Sequence, residues 1–199
     1  GRLEVADVLA GIDGTHMGVA ENALQLAGRF LSANKTIRDR VFWRLLALAE
    51  PPRLKFLAMQ VLDGVDPDGL VDAIADVLKS EGGHPWSRRA ALSALPSGEM
   101  PLAEKLLRDE EFVRSDFAAD VLGELADLVG ARLKQDHAFI DLLDAVASYY
   151  MPDSVTIRVM EGLDSGLARA RSDLTPPSSW KNAMEQVANG ESLAVQRAV

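Results

Sequence analysis

The sequence predicts an all-α fold, and three observations support this prediction. Apolar residues recur with the helical spacing i, i+3, i+4 and i+7, as at Val19, Ala23, Leu26, Ala27 and Phe30. No segment keeps the strict alternation of apolar and polar residues that a half-buried strand requires. Aromatic residues make up only 6% of the chain, and the abundance of Leu and Ala favours helices over a sheet sandwich.

Each apolar stripe, taken in chain order, predicts one helix. After the first stripe the same spacing recurs in the segments 41–49, 54–62, 74–78, 90–95, 102–107, 117–128, 139–146 and 155–163. Helix-breaking residues fall at their edges, at Pro51-Pro52, Pro67, Gly82-Gly83, Pro85, Pro96, Pro101, Pro152 and Pro176-Pro177. Because proline lacks an N–H group and fits best in the first turn of a helix, these positions are predicted to mark helix ends.

The predicted helix ends repeat along the chain. Similar sequences stand at 8–14 (VLAGIDG), 61–69 (VLDGVDPDG), 91–99 (ALSALPSGE) and 159–167 (VMEGLDSGL). Aligning Leu31, Leu62, Leu95, Leu125 and Leu163 gives steps of 31, 33, 30 and 38 residues. A period of this length with two short helices per unit is typical of helical-repeat solenoids, in which stacked neighbours share one core.

The sequence therefore predicts a single domain, 1–199, built as a right-handed α-α superhelix of about five antiparallel helical hairpins. The repeats are predicted to occupy 16–170, followed in 171–199 by a loop and a C-terminal capping helix. In that last helix Trp180, Met184 and Val187 are predicted to face inward and to cover the end of the stack.

Three segments resemble the units of HEAT-like repeats, whose first helix is rich in Ala and Leu with an arginine near its start. The best match is WSRRAALSALP at 86–96, and weaker versions are RLKFLAMQVLDGV at 53–65 and FAADVLGELADL at 117–128. The step of 38 residues and the missing arginines in some units depart from that pattern, so the exact number of repeats stays open.

A narrower resemblance concerns 88–112 (RRAALSALPSGEMPLAEKLLRDEEF) and 159–171 (VMEGLDSGLARAR). They are similar to the helical-repeat spacer of large bacterial secreted proteins, which joins a sugar-dehydrogenase-like propeller to a c-type haem domain. The resemblance implies a periplasmic or secreted location; otherwise a cytoplasmic one is expected. The sequence begins at Gly1, and we interpret it as a fragment of a larger protein that holds no cofactor of its own.

Charge and composition narrow the functions further. A net charge of −9 disfavours nucleic acid as a partner, because the chain repels phosphate backbones. The absence of cysteine excludes disulfides, thiolate metal sites and cysteine nucleophiles. No apolar run approaches the roughly 20 residues of a membrane-spanning helix, so no membrane insertion is predicted.

The stretch LDGVDPDGL at 62–70 invites comparison with a calcium-binding loop. Placing Gly69 at position 6 of an EF-hand puts Asp68 at position 5 and Asp66 at position 3. Position 1 is then Gly64 and position 12 is Ala75, so the first ligand and the bidentate acid are both missing. The stretch is therefore interpreted as a corner between two helices rather than a metal site.

Other chemical motifs are also missing. The three histidines, His16, His84 and His137, lie far apart, and a surface pair of His137 with Asp141 is the favoured interpretation of the last one. The sequence has no G-x-S-x-G elbow and no phosphate-binding loop. We predict no catalytic, cofactor-binding or metal-binding residue, and hence no enzyme activity of this chain.

Six residues are candidate contacts for a partner: Arg40, Arg44, Trp86, Arg88, Tyr149 and Tyr150. For Trp86, packing on the preceding repeat is favoured over an exposed position. Arg40 and Arg44 are expected on a solvated face, and one of the two adjacent tyrosines is expected to pack while the other is exposed. Ser87 is expected to act as a cap or first-turn residue.

These observations predict a non-catalytic helical-repeat scaffold or protein-interaction module, with a protein or a neighbouring domain of the same chain as its partner. Two alternatives remain open at this point. HEAT-like repeats also form alkylpurine DNA glycosylases, for which Arg38, Arg40 and Arg44 around Trp43 are the available basic residues. The second alternative is an accessory domain of a secreted sugar-dehydrogenase and haem protein.

Overall fold

A computed structural model describes residues 3–46, 52–62, 70–95, 98–132, 136–149 and 151–170, together with Asn182, Glu185, Val187 and Asn189. Within these residues the protein forms eleven helices and no strand, which confirms the predicted all-α class. The aspartate-rich stretch at 63–69 lies outside the described residues, so the structure does not test its interpretation as a helix corner.

The helices are short, from 4 to 17 residues. In chain order they are α1 (Val5–Ile12), α2 (Met17–Ala27), α3 (Lys35–Leu46), α4 (Pro52–Leu62), α5 (Leu70–Glu81), α6 (Pro85–Ser93), α7 (Glu99–Leu107), α8 (Glu110–Val113), α9 (Ala118–Ala131), α10 (Asp136–Ser148) and α11 (Asp153–Arg169).

Several helix boundaries fall where the breakers predict them. Pro52 is the first residue of α4 and Pro85 the first residue of α6, while Pro152 directly precedes α11. At the first position of a helix the missing N–H of proline is not needed for an intrahelical hydrogen bond. Gly82 and Gly83 separate α5 from α6.

The chain divides into two compact units, Gly1–Ser97 (unit 1) and Gly98–Val199 (unit 2). Each unit is described by itself below. The prediction of one continuous repeat domain over 1–199 stays a prediction.

Unit 1 consists of three consecutive helical hairpins, α1–α2, α3–α4 and α5–α6. Helix α3 packs against both α1 and α5, and α4 packs against both α2 and α6, so odd and even helices form separate layers. Arg53 at the start of α4 pairs with Glu21 near the start of α2 at 2.7 Å, which shows that these two helices of one layer run parallel.

The core of unit 1 lies between the two layers. Its fully buried side chains come from all six helices or their ends: Ile12, Leu24, Leu31, Ile37, Val41, Ala58, Met59, Leu62, Ile74, Leu78 and Ala91. Burial of a side chain of the Leu or Ile class contributes about 1.5–3 kcal/mol, so this shared interior is the main stabilising contribution to the unit.

A buried ion pair connects α4 to α5. Lys55 is 4% exposed, and its Nζ lies 2.7 Å from Oε1 of Glu81. The second carboxylate oxygen of Glu81 accepts a hydrogen bond of 3.2 Å from Ser87 Oγ on α6. One carboxylate therefore joins three helices of unit 1 where α6 begins.

Unit 2 also has neighbouring helices in parallel and antiparallel pairs. Glu99 at the start of α7 pairs with Arg132 at the end of α9, so these helices are antiparallel. Arg108 just after α7 donates to Tyr149 just after α10 at 2.8 Å, so α7 and α10 are parallel. The short α8 is capped by Asp109, whose carboxylate accepts from the Phe112 N–H at 3.0 Å.

Four glycines allow α9 and α11 to approach each other closely. A Cβ added at Gly130 would lie 2.6 Å from the Leu163 carbonyl oxygen, and one added at Gly123 would lie 3.0 Å from that of Arg158. From α11, a Cβ at Gly162 would collide with the Gly123 carbonyl, and one at Gly166 with the Asp127 carbonyl. Because both helices advance in the same direction along these contacts, they are parallel.

This contact corrects one prediction from the repeat pattern. The segment VMEGLDSGL at 159–167 is not a helix end, since α11 continues from Asp153 to Arg169. Gly162 and Gly166 are buried inside the helix and lie against α9. Here glycine is required because a backbone carbonyl of the neighbouring helix occupies the space of a side chain.

Near the C-terminus, the described residues Asn182, Glu185, Val187 and Asn189 are all helical. Val187 is 1% exposed, and the other three are exposed, in agreement with the inward position predicted for Val187. Trp180 and Met184 lie outside the described residues, and the role of this segment as a cap of the stack stays a prediction.

Replacing Gly166 by alanine tests the close approach of α9 and α11. The new Cβ would lie 2.7 Å from the Ala131 backbone nitrogen and would also meet the Asp127 carbonyl. Because backbone atoms cannot rotate away as a side chain does, we expect G166A to lower the free energy of unfolding by about 1–3 kcal/mol. Ser165→Ala, at an exposed position beside it, is the matched control and should change stability by less than ~0.5 kcal/mol. Urea titration followed by circular dichroism measures both, and equal stabilities would contradict the packing.

Replacing Lys55 by methionine tests the buried pair. The Glu81 carboxylate would lose its charged partner in a site where its side chain is only 15% exposed, so we expect the free energy of unfolding to fall by about 3–5 kcal/mol. The double variant Lys55→Met with Glu81→Leu removes both charges and should be less destabilised than Lys55→Met alone. A double variant as unstable as the sum of the two single variants would show that the charges do not interact. Chemical unfolding of the four proteins in the cycle gives this coupling energy.

Candidate functional site

The described residues hold no cluster of three or more His, Asp or Glu side chains suited to a metal ion. His16 and His84 are exposed and each directly precedes a helix, α2 and α6 respectively. The side chain of His137 is outside the described part, so its pairing with Asp141 stays a prediction. Among the described helices none is long and apolar enough to cross a membrane.

Arg44 holds the end of α1. Its Nε donates to the Ile12 carbonyl oxygen at 2.8 Å and its Nη2 to that of Gly14 at 3.1 Å. The last carbonyls of a helix lack intrahelical partners and carry partial negative charge, which a guanidinium satisfies well. Arg44 is half-buried, so it does not lie on the solvated face that the sequence favours for it.

Arg40, one turn before Arg44 on α3, contacts the same end of α1. Its Nε lies 3.6 Å from Oδ2 of Asp13, the residue that follows α1, and both side chains are about half exposed. The structure thus brings Arg40 and Arg44 together, as their spacing predicts. Both contact the end of α1, and Arg44 makes the shorter contacts of the two.

Trp86 lies on the surface of unit 1 with 75% of its area exposed. The preference of the sequence analysis for packing of Trp86 on the preceding repeat is therefore wrong. His84 and Pro85, immediately before it, are exposed too. A tryptophan this exposed is uncommon in soluble proteins, because its ring has a large apolar area that is usually covered.

Arg88 takes the opposite position on α6. It is only 6% exposed, and its Nη1 donates to the Gly82 carbonyl oxygen at 2.7 Å. Its role is to hold the turn between α5 and α6. The interaction with a partner that the sequence suggests for Arg88 would need a side chain that is not accessible in this structure.

Arg89 was not among the candidates, yet it lies one turn after Trp86 on the exposed face of α6. Within the described residues its guanidinium makes no hydrogen bond or ion pair. Arg89 differs in this respect from the arginines that pair with carboxylates in the described residues, which include Arg40, Arg53, Arg108, Arg114, Arg132, Arg158 and Arg169. Residues three apart on a helix share a face, so Trp86 and Arg89 form one surface, which we call the Trp86 surface.

In unit 2, Tyr149 borders a cleft of about 320 Å³. The cleft is lined by Leu107, Arg108, Glu110, Val113, Arg114, Tyr149 and Pro152. The Tyr149 hydroxyl accepts from Arg108 Nε, and this hydrogen bond raises the pKa of the Arg108 guanidinium because it stabilises the charged form.

The charges of this cleft are balanced locally. Glu104 pairs with Arg108 at 3.1 Å and Glu110 with Arg114 at 3.0 Å. Tyr150 is outside the described residues, so which of the two tyrosines is the more exposed is not tested, while Tyr149 is half-buried. The cleft therefore presents no unpaired charge that would select a ligand.

Comparisons with protein-family models, with curated proteins and with solved structures found no match to this chain.

Replacing Arg44 by methionine tests its role at the end of α1. The variant leaves the Ile12 and Gly14 carbonyls without their donor in a partly buried position. We expect the free energy of unfolding to fall by about 1–3 kcal/mol, the cost of removing a charged hydrogen-bond donor. Arg40→Met is the matched control on the same helix, and its exposed pair should contribute less than about 1 kcal/mol. A larger effect at Arg40 than at Arg44 would contradict this assignment. Thermal and urea unfolding of both variants decide between them.

Proposed function

We propose that this chain is a non-catalytic helical-repeat scaffold that presents a surface to a protein partner or to a neighbouring domain. The observation that carries the proposal is the packing of unit 1. Three hairpins follow one another, and each layer is built from alternate helices. Stacking of this kind gives a continuous core with long exposed faces, which is the usual design of interaction scaffolds.

Unit 2 supports the same architecture. Helices α7 and α10 are parallel, as are α9 and α11, while α7 and α9 are antiparallel. The helical residues around Val187 would supply the partner of α11 in a further hairpin. A right-handed solenoid of about five hairpins, resembling HEAT repeats, accommodates both units, and we retain it as the proposed fold.

The Trp86 surface is the proposed contact site. Trp and Arg are the residue types that most often dominate the binding energy of protein interfaces. Trp86 and Arg89 combine the two on one exposed helical face in unit 1. Arg44 and Arg88, which the sequence offered for this role, instead hold backbone carbonyls of unit 1, while Arg40 stays exposed beside Asp13.

No specific observation favours either of the two alternative functions. The arginines available to a glycosylase-type site on duplex DNA are Arg38, Arg40 and Arg44, and all three hold other parts of the protein. The accessory role beside a secreted dehydrogenase rests on the sequence resemblance alone. A periplasmic or secreted location remains tied to that resemblance, and a cytoplasmic one is expected without it.

Site-specific cross-linking tests the proposed function. A photoreactive phenylalanine derivative, which keeps a large aromatic side chain at this position, replaces Trp86 in the full chain, which is expressed in its source cells and irradiated. We expect a cross-linked protein, or a cross-link to another domain of the parent chain, because this surface is proposed to be covered in the assembled state. Gln25 is exposed on a different helix of the same unit, α2, so it is the control position and should give a weaker product.

Two results would contradict the proposal. One is equal cross-linking at positions 86 and 25. The other is salt-sensitive binding of duplex DNA by the purified chain at low ionic strength, which would favour the glycosylase-type alternative.

A further inference from the structure

We propose that the Trp86 surface binds an acidic segment of its partner, in which an apolar side chain packs on the Trp86 ring and a carboxylate pairs with Arg89. This inference rests on the proposed scaffold function and names the chemistry of its partner. It concerns residues of unit 1 alone.

The apolar half of the proposed contact is the indole ring. Three quarters of Trp86 is exposed, and the adjoining Pro85 and His84 extend the accessible surface. Covering such a ring with an aliphatic or aromatic side chain removes a large apolar area from water, which is the main source of binding energy at a small contact. The partner segment is therefore expected to carry at least one large apolar residue.

The charged half is Arg89. The carboxylate closest to it in the sequence is that of Glu81, and both of its oxygens already have partners within unit 1. Its Oε1 pairs with Lys55 at 2.7 Å and its Oε2 accepts from Ser87 at 3.2 Å. Because Glu81 is committed to the interior, Arg89 remains available for a carboxylate from outside. An arginine binds a carboxylate with two parallel hydrogen bonds, which gives this contact direction as well as charge.

The surface is also held in place before binding. Ser87 and Arg88, between Trp86 and Arg89, are fixed to Glu81 and to the Gly82 carbonyl. These contacts hold the first turns of α6 against α5. A partner would therefore lose little binding energy to the ordering of this backbone, which favours recognition of a short segment.

The net charge of unit 1 opposes an acidic partner much less than that of unit 2 would. Unit 1 contains 11 basic and 12 acidic side chains, whereas unit 2 contains 10 basic and 18 acidic ones. Most of the net charge of −9 thus lies in unit 2. Within unit 1, an acidic segment that approaches Arg89 is opposed by a net charge of only −1, from 11 basic and 12 acidic side chains.

A single-stranded nucleic acid could also combine stacking and negative charge, yet the surface lacks what such binding requires. Nucleic-acid grooves place several aromatic side chains along a basic track. Of the exposed large apolar residues in the described part, Leu3, Met17, Val19 and Trp86, only Trp86 is aromatic. One ring beside one arginine fits a short peptide contact better.

Peptide selection with the full 199-residue chain tests this inference. The immobilised protein selects from a displayed library of random 12-residue peptides, and enriched sequences are scored for net charge and apolar content. We expect enriched peptides to be acidic with one or two large apolar residues, and their binding to weaken as salt is raised. Trp86→Ala and Arg89→Glu should each reduce the affinity of a selected peptide roughly tenfold or more. Arg29→Glu is the matched control at another exposed arginine, and it should leave this affinity unchanged.

Each other outcome overturns the inference. Enrichment of neutral or basic peptides, or an affinity that survives both Trp86→Ala and Arg89→Glu, would reject an acidic ligand for this surface. Tighter binding of a single-stranded oligonucleotide than of any selected peptide would assign the surface to nucleic acid. Self-association that is lost in Trp86→Ala would assign it to a second copy of the chain.

The cross-linking experiment separates the two proposals. A cross-linked partner without an acidic segment at the contact would leave the scaffold function standing and reject the acidic ligand. The absence of any cross-link at position 86 would reject both.

Discussion

The fold depends on one constraint, which is that most of the described helices are too short to be stable without neighbours. Most of the described helices have 8 to 14 residues, and isolated helices shorter than about 12–15 residues are marginal in water. Stability must therefore come from faces buried between helices. In unit 1 the central hairpin α3–α4 packs against α1–α2 on one side and against α5–α6 on the other. The buried contact of Lys55 with Glu81 also connects it to α5.

The sequence predicted the helical class and many boundaries because both are local properties. The stripes of apolar residues and prolines such as Pro52, Pro85 and Pro152 act through their immediate neighbours. The role of Gly162 and Gly166 could not be obtained in this way. A glycine after a run of apolar residues is equally suited to end a helix or to admit another backbone. Which applies is decided by α9, about 40 residues earlier in the chain.

The candidate site was predicted in part, and the missing information was present in the helical spacing. Arg88 shares its face of α6 with Ala91 and Leu92, at i+3 and i+4, so its burial follows from the same rule that predicts the core. Trp86 and Arg89 lie three residues apart on the other face. Residue type pointed to an arginine in this segment, but only the spacing distinguishes the buried one from the exposed one.

The hydrogen bonds that Arg44 donates to the end of α1 have a consequence for co-translational folding. Its carbonyl partners, Ile12 and Gly14, precede it by 32 and 30 residues. A ribosome adds about 5–20 residues per second, so the end of α1 leaves the exit tunnel roughly 2–6 seconds before its capping side chain does. During that interval α1 ends in open carbonyls, and the side of α1 that packs against α3 is not yet covered. The end of α1 is thus accessible to chaperones until Arg44 has left the tunnel.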